Sequence, residues 1–127
     1  MTALTLLRLD NYVMTFDLRA AFHQIMIPES DSRKLLFLWY RDVTNGDFTL
    51  VAYKFLRLVM GLRFSPCILT MALYIILMVD INNDDPVIKA IKQHLYNLSY
   101  VDNISFTTDS IDELKFVYNY LPKIFNP

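Results

Sequence analysis

Cysteine, histidine, glycine and net charge are all scarce in this chain, and most of these scarcities exclude something. A single cysteine, Cys67, rules out an internal disulfide and any cysteine-rich zinc site. Set in an apolar run, it is expected to be a packed thiol, which suits a reducing, intracellular compartment such as cytoplasm or nucleus. Neither His23 nor His94 has a matching partner in the sequence, so neither is assigned a role. A net charge of −1 leaves no global basic signature of the kind that marks nucleic-acid-binding domains. No basic-then-apolar leader opens the sequence. The most apolar stretch, Cys67 to Val79, is shorter than the roughly twenty residues a bilayer span needs, and extending it backwards meets Pro66 and Arg63. A buried helix is expected there, with no membrane partner. Repeats, low-complexity segments and linkers are also missing. No domain boundary is therefore expected within the 127 residues, which allow one domain or a piece of one.

Apolar and aromatic residues, by contrast, are abundant. Hydrophobic residues make up 54% of the chain, with nine Phe, eight Tyr and one Trp, and the mean hydropathy is +0.29. That is enough to fill a core and to leave apolar surface for further chain to cover. Val13 to Asp17 reads as a short strand, with Val13, Thr15 and Asp17 on one face and Met14 and Phe16 on the other. Arg19 to Gln24 favours helix, and Glu29 to Lys34 a polar turn or short helix. Leu35 to Tyr40 and Thr49 to Phe55 read as two strands around Asn45-Gly46, a hairpin signal because both residues tolerate positive φ.

Gly61 then punctuates the chain ahead of Ser65-Pro66, an N-cap and first helical position. Ile68, Ala72, Ile75, Ile76 and Val79 follow at helical spacing. A second helix over Val87 to Tyr96 carries Ile88, Ile91 and Leu95 on one side. Leu98 to Val101 and Ile104 to Thr107 flank Asp102-Asn103, expected as a tight turn. Ser110 to Glu113 has the form of a capping box, and Ile111, Leu114, Val117 and Leu121 give the helix behind it an apolar stripe. The pattern implies an α+β fold.

Asp17 and Asp102 are the residues that invite chemistry. If the second hairpin pairs beside the first strand, their carboxylates meet at one edge of an antiparallel sheet. Magnesium takes hard oxygen ligands and often uses only one or two protein carboxylates, leaving the rest of its shell to water and phosphate. Two such ions about 3.5–4 Å apart can activate a hydroxyl nucleophile and stabilise a leaving pyrophosphate.

Four motifs in order carry a resemblance. Asp17-Leu18-Arg19-Ala20-Ala21-Phe22 places an aspartate ahead of a small residue and an aromatic. Phe37 to Tyr40 is a Phe-Leu-Trp-Tyr strand. Gly61-Leu62-Arg63-Phe64-Ser65-Pro66 is a glycine turn leading into a Ser-Pro helix start, and Tyr100-Val101-Asp102-Asn103 stands where a Tyr-x-Asp-Asp motif would. Together they resemble the reverse transcriptases, within them the Pao-type retrotransposon branch, over nearly the whole chain.

The resemblance implies a polymerase palm-type antiparallel sheet packed on helices with part of the fingers, residues 1–127 being a piece of a larger right-hand polymerase. It implies an RNA-directed DNA polymerase module that adds deoxynucleotides to a primer 3′-hydroxyl by two-metal catalysis. Asp17 and Asp102 would be the catalytic carboxylates and, with the Leu18 carbonyl and Asn103, would hold two Mg2+ ions, Mn2+ being possible in their place. Arg19, Ala21, Phe22 and Gly61 would contact the incoming nucleotide, Phe22 as the aromatic gate against its sugar. Met60 and Tyr100 would lie toward template and primer. The implied partners are an RNA or DNA template with a DNA primer, deoxynucleoside triphosphates, and the thumb, RNase H and integrase domains of a polyprotein.

Two motifs depart from the family. Val59-Met60 replaces the Pro-Phe or Pro-Gln that precedes the glycine, and Asn103 replaces a second aspartate. Asparagine keeps a carbonyl oxygen but no charge, so activity is expected to be weakened or retuned, and the isolated chain is expected to be inactive. The alternative is an inactive retroelement remnant or domesticated binding module.

Overall fold

The computed structural model describes Thr5, Arg8, residues 10–79 and residues 81–125. In chain order its elements are β1 (Tyr12–Asp17), α1 (Ala21–Gln24), α2 (Glu29–Ser32), β2 (Leu36–Asp42), β3 (Asp47–Lys54) and α3 (Ser65–Met78). A 3-10 turn (Ile81–Asn83) then leads into α4 (Pro86–Asn97), β4 (Ser99–Tyr100), β5 (Asn103–Thr108) and α5 (Ile111–Phe125). The fold is α+β, with antiparallel sheets and helices. It divides into two compact units, one of residues 1–19 and 66–127, the other of residues 20–65. No change of composition announces either boundary, which is why the sequence was read as undivided.

The first unit is a three-stranded antiparallel sheet in the order β1-β5-β4. Tyr12 pairs with Thr108 at one end and Asp17 with Asn103 at the other. Alternation along the strands sends Met14 and Phe16 of β1, and Ile104 and Phe106 of β5, to the core. There they join Leu73 and Leu77 of α3, Ile91 and Leu95 of α4, and Val117 and Ile124 of α5. Burying each such side chain contributes about 1.5–3 kcal/mol. The ring of Phe16 meets that of Phe125 edge-on at 6.1 Å, seating the end of α5 against β1. Helix α4 starts on Asp85, whose carboxylate accepts from the Val87 N–H at 2.9 Å, with Pro86 in the first turn.

Several expectations change here. The buried row of α3 is Leu69, Leu73 and Leu77, whereas Ile75, Ile76 and Val79 are exposed and Ile68 and Ala72 only half-buried. Ser65–Met78 is apolar on every side, so periodicity could not choose a face. The helix is thus half-exposed where a buried one was expected, and Cys67 is exposed, not packed. By length and composition alone, Ser65–Asn83 reaches what a membrane span needs, as core helices of soluble proteins also do. Only half of the capping box forms. The Ser110 hydroxyl accepts from the Glu113 N–H at 3.3 Å, but the Glu113 carboxylate accepts from the Thr108 hydroxyl instead of reaching back.

The second unit is a ribbon. Strands β2 and β3 pair from Leu36↔Lys54 to Tyr40↔Leu50, slip by a bulge, and close at Asp42↔Asp47. Gly46 has φ 76° while Asn45 does not turn left-handed, and the Asp42 carboxylate accepts from both the Asn45 N–H and its side-chain amide. Residues 25–27 and 56–58 continue the pairing, with the Leu58 N–H donating to the Ile25 carbonyl at 2.9 Å. Gly61 has φ 92°, and a Cβ there would meet nothing within 4 Å, so the backbone angle and not space demands glycine. Ser65 is fully buried and donates to the Val59 carbonyl at 2.6 Å, in place of the capping role read from the sequence.

Candidate active site

The β-branched and aromatic residues of Tyr12 to Phe16 make an extended run, and the strand they form ends on Asp17. Its register partner Asn103 opens β5. The stitching continues one residue further, the Leu18 N–H donating to the Asp102 carbonyl at 3.0 Å. Asn103 also pairs with Tyr100 on β4. The tight turn is therefore Val101-Asp102, not Asp102-Asn103, because Asn103 is already committed to both neighbouring strands. This arrangement gathers Asp17, Leu18, Tyr100, Asp102 and Asn103 at one end of the sheet.

Backbone strain marks the turn that precedes Asp102. Val101 has φ 57° and Ala20 has φ 52°, the two positive values at non-glycine positions among the described residues. A left-handed residue carrying a Cβ costs roughly 1–2 kcal/mol, and a β-branched one has little reason to be there unless its surroundings impose it. Val101 immediately precedes Asp102, whereas Ala20 lies in the second unit. Strain of this kind gathers at sites where geometry matters more than stability.

Asp17 and Asn103 are exposed and Asp102 is half-buried. The carboxylate of Asp17 forms no hydrogen bond or ion pair among the described residues. That of Asp102 accepts one long bond, 3.4 Å, from its neighbour's amide. Arg19 is exposed and also without an ion pair among the described residues. Neither carboxylate has an ion-pair partner among the described residues, and oxygens of this kind suit a hard divalent ion. No cluster of three or more His, Cys, Asp or Glu side chains able to hold a metal occurs among the described residues. The donors present are thus two carboxylates with the Asn103 amide oxygen beside them. That set fits magnesium, which keeps water and substrate phosphate in its shell, and does not suit zinc.

Tyr100 stands 77% exposed, so it is not a core residue. The remaining sequence-assigned positions, Ala21, Phe22, Met60 and Gly61, lie in the second unit. Ala21 and Phe22 are each only 6% exposed, while Met60 is 65% exposed. A ring acting as a gate on a sugar needs an open face, and that of Phe22 is covered. Sequence reading passed over Val101, whose strained angle no residue pattern encodes, and the hydroxyl pair of Thr15 and Ser105. These two lie 3.3 Å apart on the same sheet face as Asp17. Alternation had already put Thr15 on the face of Asp17; its pairing with Ser105 is what the structure adds. No protein-family model matches the chain, and no curated protein matches it significantly.

Proposed function

We propose that the chain is a reverse-transcriptase-type nucleotidyltransferase module, with Asp17 and Asp102 as its metal-binding carboxylates. The observation that carries this reading is the register Asp17↔Asn103 beside a strained two-residue turn that holds Asp102. It brings the backbones of Asp17, Leu18 and Asp102 to one end of the sheet, with neither carboxylate ion-paired among the described residues, which supports the reading. When bound, divalent ions would supply Lewis-acid activation and charge neutralisation in phosphoryl transfer. The protein's part is position: β1 fixes Asp17, the Leu18-to-Asp102 backbone bond fixes the hairpin against it, and Asn103 adds a neutral oxygen. Arg19, next in sequence, offers an uncommitted cation for a triphosphate. Gly61 and Met60 as nucleotide and template contacts rest on the motif resemblance alone, and the buried Ala21 and Phe22 are not carried forward in that role.

Manganese provides the direct test, since its paramagnetism broadens nearby nuclear resonances. Titrated into the labelled chain, it is expected to broaden Asp17, Leu18, Asp102 and Asn103 first, and Asp17→Asn or Asp102→Asn should abolish the effect. Broadening spread over unrelated acids, or unchanged by either substitution, would remove the site. Placed between the fingers and thumb of an active polymerase, the wild-type module should support primer extension on RNA and either variant should not.

Asn103 favours a second reading, a folded module that binds without catalysing. Asn103→Asp separates the two. A gain of magnesium-dependent extension in the chimera supports a retuned enzyme, whereas metal binding without any extension supports the inactive module.

A further inference from the structure

Strand β1 is an edge of its sheet, paired on one side only among the described residues. On an edge strand alternate residues direct N–H and C=O groups outward, where another chain can pair with them. Proteins commonly blunt such edges with a lysine, a proline or a bulge. Tyr12-Val13-Met14-Thr15-Phe16 has none of these, and its pairing with β5 runs without a slip. Tyr12 and Val13 are 40% and 55% exposed.

Beside this edge lies a groove of about 510 Å³, lined by Val13 and Met14 of β1 and by Leu114, Lys115, Tyr118 and Asn119 of α5. Its walls are apolar, with Tyr118 itself 68% exposed, and its rim carries one cation. The Lys115 ammonium has only a long contact, 3.9 Å, to Asp112, and both side chains are largely in solvent. A pair of that kind is worth little and is readily exchanged for another carboxylate.

We infer that this edge and groove take up an extended peptide segment as a fourth strand, with an apolar side chain in the groove and a carboxylate on Lys115. The backbone edge supplies affinity without regard to sequence, and the groove and cation supply selection. The segment would run beside Val13 and Met14. Asp17 lies about 13 Å farther along β1 at the usual rise per residue, so occupancy does not require the carboxylate site. The inference therefore stands or falls separately from the proposed function.

The probe is a β-prone hexapeptide with one central acid, acetyl-Val-Thr-Val-Glu-Val-Thr-amide, titrated into the labelled chain. A matched peptide with Lys in place of Glu is the control. Saturable shifts at Val13, Leu114 and Tyr118, with slowed hydrogen exchange at alternate β1 amides, are expected. Lys115→Glu should weaken the acidic peptide roughly fivefold and strengthen the lysine peptide. Lys115 is exposed, so the variant should fold, and unchanged signals from Ile104 and Val117 would verify it. The inference is overturned by shifts elsewhere, by none up to millimolar peptide, or by indifference to the charge reversal. It is equally overturned if β1 amides of the free chain are already protected and the protection grows with protein concentration, which would mean that a second copy covers the edge.

Discussion

The two units spend their aromatic and aliphatic residues in opposite ways. In the unit of residues 1–19 and 66–127, one face of the sheet and three helices enclose Leu77, Leu95, Ile104 and Val117, all without exposed surface. In residues 20–65, the β2–β3 ribbon holds Leu36, Leu38, Tyr40, Phe48 and Leu50 on one face and Phe37, Trp39 and Tyr53 on the other, all exposed. A two-stranded ribbon cannot bury both faces by itself and is marginal in water. What holds it is local: the stack of Phe37 with Tyr53 at 5.7 Å, its closer contact with Phe55 at 4.7 Å, the edge-on pair Tyr40–Phe48, and the hydrogen-bonded turn. Similar residue types give a core where alternation meets helices and a bare surface where nothing meets them.

The largest test of this contrast is a pair of truncations. Leu95→Ala should cost about 2–5 kcal/mol, the range for emptying a closed leucine site. Trp39→Ala, although it removes more atoms, should cost no more than about 0.5 kcal/mol, since its side chain is more than half exposed. Urea unfolding followed by circular dichroism would measure both. Comparable losses would mean that the ribbon face is covered in solution.

The contrast also explains what was legible beforehand. The strands around Asn45-Gly46, the stripe of Ile91 and Leu95, and the pairing that brings Asp17 beside the Asp102 hairpin were all readable, because turn chemistry and alternation are local signals. The exposed side of α3 was not. Ser65–Met78 presents apolar residues all round, and only its neighbours decide that Leu73 and Leu77 go inward while Ile75 stays out. The strain at Val101 was hidden for a similar reason. Nothing in Tyr-Val-Asp-Asn says that the turn will close one residue early, once Asn103 is shared between two strands.

A smaller effect is expected at that turn. Val101→Gly relieves a left-handed Cβ but loosens the unfolded chain, a balance that should stabilise the first unit by up to about 1 kcal/mol. If the strained turn serves to hold Asp102 against Asp17, the same change should weaken manganese binding while the urea midpoint rises. A rise in stability with metal affinity intact would leave the strain without a functional account.

The smallest effect concerns acid, and it separates the units again. Glu29, Asp42 and Asp47, all in residues 20–65, are held below the usual carboxylate range. The causes are, in turn, the Lys54 ammonium, the Asn45 side-chain amide and the Thr49 residue beside each acid. A carboxyl group whose folded value is lowered stabilises the fold while ionised. That contribution is complete above the unfolded value and disappears as pH falls through the folded one. All three groups are open to water, so the loss should be slight and local. Lowering the pH below about 4 should therefore loosen the turn amides of Asn45 and Gly46 while those of Ile104 and Val117 keep their protection. Asn45→Ala removes the side-chain amide that holds the Asp42 carboxyl down and should move the onset of loosening at the turn to higher pH. If instead the sheet amides yield first, the ribbon is the better-anchored of the two units, and its exposed aromatic faces are covered by something in solution.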